Sequence, residues 1–226
     1  YGQGTEWDTR LGVFGSWGAP YSAIDSIPHP LGSRFGSVFP ELAGKRVKYE
    51  PFGQANYDNF FKRGHVYENA ISIQGGGEKA SISAGISRMD NKGIVPFNSI
   101  NRTSINLGGQ ATLDNGLYIN GTINYVSTNQ DSPQMSSSIG SGPSAIEVLP
   151  WTPTSYDLTN YPYRNPITGA SIYDRVGIDN PYWSVESSPF TSKVDRYFGK
   201  FTAGIDAASW LNLQATGGFN GYNDRR

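Results

Sequence analysis

A metal centre, a nucleophile or a general base needs particular side chains close together, and this chain offers few. His29 and His65 are its two histidines, and it has no cysteine. The histidines lie far apart with no acidic ligand pattern beside either, so neither a zinc site nor a nucleophile–base–acid triad is expected. The lack of cysteine also removes disulfides, thiolate ligands and cysteine nucleophiles. Gly75-Gly76-Gly77 could cradle a phosphate only if a Lys-Ser/Thr pair and a helix followed; neither does, and a hairpin turn is expected instead. Asp90-Asn91-Lys92-Gly93 starts like a calcium loop, but the lysine and the missing distal glutamate make it a plain turn. No carboxylate pair is spaced for hydrolysis. The sequence therefore implies no catalytic residue, no cofactor and no metal.

Aromatic residues carry the remaining chemistry, in two groups. Trp151, Tyr156, Tyr161, Tyr163, Tyr182 and Trp183 fall in a segment rich in Pro, Ser, Tyr and Asn. Their ring faces could stack on a sugar or a peptide, or pack against a partner; the competing reading is a loop packed on itself. Tyr67, Tyr118, Tyr125, Tyr197, Trp210 and Tyr222 lie near the ends of extended segments, where rings settle at a membrane interface.

The extended segments are defined by period-two alternation, the pattern of a strand with unlike faces. Ala80, Ile82, Ala84 and Ile86 oppose Ser81, Ser83, Gly85 and Ser87. The pattern returns over Thr103 to Leu113, Leu117 to Ser127, Tyr197 to Asp206 and Leu211 to Asn220, with a shorter candidate from Val66 to Gln74. Most approach the roughly 9 to 11 residues that a tilted strand needs to cross a bilayer, against about 5 to 6 for a globular strand.

Connection lengths sharpen this. Gly75-Gly76-Gly77, Asp114-Asn115-Gly116 and Ala207-Ala208-Ser209 read as tight turns, and the Asn-Gly step suggests type I′ geometry. Between the hairpins, Asp90 to Arg102 is intermediate and Gln130 to Val194 is about 65 residues long. Short and long connections alternate in outer-membrane barrels, whereas so long an excursion is unusual in a sandwich. Ser136 to Ser144 reads as a flexible loop.

Composition agrees. The 226 residues include 28 Gly and 14 Pro with 16% charged residues, a turn-rich signature without helix-forming excess. A net charge of -1 gives no footprint for nucleic acid. No run of 18 apolar residues is present, which excludes a spanning helix and leaves spanning strands open.

In this order of segments the chain resembles the SusC/RagA-like TonB-dependent outer-membrane transporters. The matching pieces are Tyr1-Gly2-Gln3-Gly4, Gly15-Ser16-Trp17-Gly18, Asp58-Asn59-Phe60-Phe61-Lys62-Arg63-Gly64, Ala70-Ile71-Ser72-Ile73-Gln74-Gly75-Gly76 and Lys92-Gly93-Ile94-Val95-Pro96. Asn180-Pro181-Tyr182-Trp183, Asp195-Arg196, Trp210-Leu211 and Asp224-Arg225-Arg226 follow. The resemblance implies an all-β fold, an antiparallel transmembrane β-barrel of which this chain supplies about six of about 22 strands. Residues 1–65 would be an external loop region, 66–129 four strands, 130–194 a long external loop and 195–226 two strands. Six strands alone would leave two unpaired edges in lipid, so a fragment of a longer polypeptide is expected, without its plug domain. The implied function is import of oligosaccharides or peptides across the bacterial outer membrane. A SusD-like surface lipoprotein would be the partner, TonB would act through the plug, and the wall would face membrane lipid. A passive porin or structural outer-membrane barrel is the alternative, and a soluble carbohydrate-binding β-sandwich the second.

Overall fold

A computed structural model describes residues 19–133, 144–174 and 177–226. Tyr1-Gly2-Gln3-Gly4, Gly15-Ser16-Trp17-Gly18 and Ser136 through residue 143 of the serine-rich stretch lie outside the described residues. The chain divides into two compact units. One is an all-antiparallel sheet; the other is assembled from the described residues within 19–63, 94–97 and 132–189.

The sheet contains six strands in sequence order: β3 (His65–Gly76), β4 (Ala80–Lys92), β5 (Ser99–Thr112), β6 (Leu117–Pro133), β7 (Pro189–Ala208) and β8 (Leu211–Arg225). Labels β1 and β2 belong to a small ribbon, Ser26–Pro28 paired with Arg46–Lys48, in the other unit. The register puts every apolar stripe on one face. Ile71 is opposite Ile86, which is opposite Ile105, which is opposite Tyr125. Ile73, Ala84, Leu107 and Ile123 form the next row, and Gly75, Ile82, Gly109 and Gly121 the row after it. A β-carbon added at Gly121 would meet the ring of Phe201, so β7 continues that row, and Phe201 pairs with Gly217 of β8. Shifting any strand by one residue would send its apolar set to the other face, so this register is the one that keeps the apolar residues together.

Strand bounds differ from the sequence reading in an instructive way. Asp90, Asn91 and Lys92 are not a turn: they pair with Asn101, Ile100 and Ser99. The connection between β4 and β5 shrinks to residues 93–98, and the excursion between β6 and β7 to residues 134–188. Ladder hydrogen bonds join backbones and need no apolar side chains, so pairing continues after alternation stops.

The turns also depart from expectation. At Asp114-Asn115-Gly116 only Gly116 is left-handed (φ 82°), and Phe97 is the sole non-glycine with positive φ among the described residues. Type I′ needs two left-handed residues, so this is a three-residue loop with the glycine in the bulge position. Gly116 N–H donates to the Leu113 carbonyl at 3.0 Å, and Asn115 Oδ1 accepts from Leu117 N–H at 3.1 Å. In the last hairpin the register shifts between Asp206 and Ala208, and Ser209-Trp210 makes the turn.

The second unit is built from short pieces: helices α1 (Pro30–Arg34), α2 (Gly53–Phe60), α3 (Ala145–Val148) and α4 (Pro181–Ser187), with 3-10 turns at Pro40–Leu42 and Leu149–Trp151. Side-chain caps mark where α1, α3 and α4 start, whereas α2 has none. Ser144 and Glu147 form a reciprocal capping box on α3, and Asn180 caps α4 ahead of Pro181 at the first helical position. These helices are too short to be stable by themselves. They are held by a shared core of Leu31, Phe60, Val95, Val148, Leu149, Tyr156, Leu158, Ile172, Tyr173 and Val185. Asn56, buried in α2, ties that core together: its Nδ2 donates to the Tyr156 carbonyl at 2.8 Å and its Oδ1 accepts from Leu158 N–H at 3.0 Å.

Candidate functional site

Two surfaces could do work: the aromatic residues of the helical unit and the two faces of the sheet. Of the six aromatic candidates, Tyr156 is a core residue, 2% exposed, edge-on to Tyr161 and Tyr173 at 5.1 and 5.7 Å. Its removal from the surface corrects the expectation that it contacts a ligand. Burial, with Asp174 nearby, holds its phenol well above the ordinary tyrosine range. Tyr161 is half-buried between Tyr156 and His29, whose ring lies 5.1 Å away. Trp151 packs partly buried on the core.

Tyr163, Tyr182 and Trp183 remain partly accessible. Tyr163 and Tyr182 are 5.9 Å apart, and Tyr182 meets Phe60 edge-on at 5.2 Å. Phe60 in turn meets Phe61 at 5.3 Å, and Phe61 lies 6.3 Å from Tyr57. Rings from α2 and α4 thus form one run, with Tyr57 at 38% exposure. Trp183 is anchored by its Nε1, which donates to the Gly169 carbonyl at 2.8 Å. A polar rim flanks Tyr163: Arg164 pairs with Glu186 at 3.1 Å and donates to Ser187 Oγ at 3.0 Å. Burial raises the Tyr163 and Tyr182 phenols above the ordinary tyrosine range. Rings beside a bidentate-capable guanidinium and a carboxylate can stack and hydrogen-bond to sugars or peptides. Sequence reasoning missed Tyr57 and Phe61, although their i, i+4 spacing on α2, with Phe60 between, was the available signal.

On the sheet, the apolar face presents Ile71, Ile73 and Ile82 at 70%, 69% and 67% exposure. A polar row follows on that same face. Tyr125 hydroxyl donates to Asp195 Oδ1 at 2.9 Å, Ser127 Oγ donates to the same oxygen at 2.7 Å, and Arg225 meets Oδ2 at 3.3 Å. Arg88 reaches Asp90 at 2.7 Å and Thr103 Oγ1 at 3.0 Å. The Tyr125 ring therefore lies with the apolar rows while its hydroxyl joins the polar one, as an interfacial tyrosine does. Tyr67 and Tyr197 share this face. Tyr118 and Tyr222 do not, which corrects the expectation of an interface role for them. Tyr222 pairs with Arg196 on the polar face, and the Tyr118 hydroxyl lies 3.1 Å from Gln214 Oε1. Its ring covers Gly204, where any β-carbon would collide with it.

The opposite face is lined by hydroxyls and amides. Ser81, Ser83, Gln110, Asn120 and Thr122 surround a shallow depression of about 620 Å³ over Gly108. Within the sheet unit no second sheet covers either face.

The architecture is thus an antiparallel meander with one apolar and one hydroxyl-and-amide face. No protein-family model matches the sequence, and no curated protein matches it. Among solved structures, the chain is similar to a chain of the RagAB peptide importer in its open-open state, with a TM-score of 0.59 and 21% identity. The match covers 75% of this chain and 19% of that one, and at this identity the likeness shows the fold alone.

Proposed function

We propose that this chain is barrel wall and surface loops of a SusC/RagA-like, TonB-dependent importer of the bacterial outer membrane. One observation carries the reading: strand register gathers every apolar stripe into a single band bounded by a charged and hydroxylated row. In β6 the band runs from Leu117 to Tyr125, nine residues. At about 3.4 Å per residue and a tilt of about 40°, that is about 21 Å along the membrane normal, close to the roughly 25 Å apolar band of such barrels.

Magnitudes point the same way. Ile71, Ile73, Ile82, Ile86, Leu107, Ile119, Ile123, Phe201, Leu213 and Phe219 are each between 43% and 70% exposed. Full burial of such a side chain is worth roughly 1.5–3 kcal/mol, so covering the rest of these ten would recover about 8–17 kcal/mol. A whole domain is stable by only about 5–15 kcal/mol. Lipid supplies that cover for the face as a whole, and the fold likeness to a chain of an importer supports the same assignment.

In this reading the polar face lines the lumen, where hydroxyls and amides, with charged side chains such as Arg196 and Lys200 among them, offer hydrogen bonds to a passing solute. The aromatic run from Tyr57 through Phe61 and Tyr182 to Tyr163 faces cargo, an oligosaccharide or a peptide, or a SusD-like lipoprotein. Transport is energised by TonB acting through a plug domain, and no residue here performs a catalytic step. The test uses the full-length protein in its own cells. It is expected in the outer-membrane fraction, released only by detergent, with a lipoprotein co-purifying and cargo accumulation lost when TonB is deleted. Recovery in the aqueous fraction without detergent would overturn the membrane assignment; uptake that persists without TonB would identify a passive porin.

A further inference from the structure

His29 is the N-cap of α1 and caps it in an unusual way. Its Nδ1 accepts from the Leu31 and Gly32 amides at 3.2 and 3.4 Å, so the ring proton resides on Nε2. The ring is 8% exposed and lies against Tyr161, 5.1 Å between centroids. What the cap holds is also buried: Leu31 is a core residue, and Gly32 approaches the Leu42 carbonyl so closely that no β-carbon fits. The His29 backbone is fixed as well, its N–H donating to the Lys45 carbonyl at 2.9 Å and its carbonyl accepting from Ser33 N–H at 3.1 Å.

We propose that His29 is a pH-responsive clasp: neutral, it pins the start of α1 and seats Tyr161; protonated on mild acidification, it releases both. The chemistry is a loss of acceptor capacity. A proton on Nδ1 replaces the lone pair with an N–H that points at two other N–H donors, and the imidazolium must leave its buried seat for water.

Burial sets the direction and the charges around it reinforce it. Burial disfavours the imidazolium, and Lys45, just before β2, opposes a second positive charge, so His29 is held below the ordinary histidine range. Tyr161 faces it from the segment after α3, with Asp157 and Glu50 acting on the Tyr161 phenol, and Arg34 lies on α1 itself. Because the released ring binds a proton more readily than the seated one, the clasp contributes fully above pH about 6.5. That contribution is lost as the pH falls through the lower, folded value.

Amide hydrogen exchange on the detergent-solubilised full chain, corrected for intrinsic rates, tests this between pH about 7.5 and about 4.5. Residues 31–35 are expected to lose protection by up to about tenfold per pH unit below about 6.5. His29→Asn keeps a capping oxygen that does not titrate, and should abolish that pH dependence. An equal pH response in His29→Asn and the parent would overturn the proposal. If the variant does not fold, histidine-ring NMR of the parent decides. A His29 titration that moves the Leu31 and Gly32 amides with it supports the clasp, and one that leaves them unmoved contradicts it.

Discussion

Replacing Ile82 with arginine is expected to destabilise the membrane-inserted protein by about 2–4 kcal/mol, while arginine at the adjacent Ser83 is expected to cost less than about 1 kcal/mol. Ile82 lies in the middle row of the apolar face, between Gly75 and Gly109, and in the proposed wall a guanidinium there would sit near the bilayer midplane. Ser83 points to the opposite face, beside the open space over Gly108. Denaturant unfolding of the full-length protein in lipid vesicles measures the difference. Equal costs for the two neighbours would mean that the faces meet the same solvent, and the wall assignment would fail.

Phe60→Ala is expected to remove about 3–5 kcal/mol, and to remove it locally. Phe60 is fully buried at the end of α2, edge-on to both Phe61 and Tyr182, and joins α2 to α4. The helical unit has its own core, so a cavity there should open that unit without melting the β3–β8 ladder. Hydrogen exchange resolved by segment should show faster exchange over residues 53–60 and 144–189 and unchanged protection over residues 99–131. A uniform loss across both units would show a single cooperative block instead.

The parts of this fold that were legible in the sequence are those governed by period two. Alternation in residues 80–87 and 117–125 gave the strands, their neighbours and the apolar face, because a strand with unlike faces must repeat every second residue. Strand ends were not legible: Asp90-Asn91-Lys92 has the composition of a turn and the backbone of a strand. Turn type was misread because the Asn-Gly step is compatible with several geometries and only Gly116 takes the left-handed one.

The helical unit was least legible. Its helices are short, at most the eight residues of α2, and give no sustained 3.6-residue period. Which of its aromatics are core depends on partners distant in sequence. Asn56 fixes the backbone at Tyr156 and Leu158 across about a hundred residues, and nothing local to Tyr156 distinguishes it from Tyr163. The Tyr118 and Tyr222 corrections have a simpler origin. Proximity to a strand end suggested an interface, but the side of the strand decides, and both residues stand on the polar side.

In the proposed wall, one face of this sheet meets lipid and the other meets water. The chain has no cysteine of its own, so single cysteines placed along β6 in a cysteine-free full-length background can report the two sides in intact cells. A water-soluble maleimide is expected to label cysteines at Asn120, Thr122 and Asn124 and to leave those at Ile119 and Ile123 unlabelled. Both faces should label beyond Tyr125, at Ser127 and Thr128, where the apolar band ends. Labelling at Ile119 and Ile123 as fast as at Asn120 and Thr122 would contradict the account.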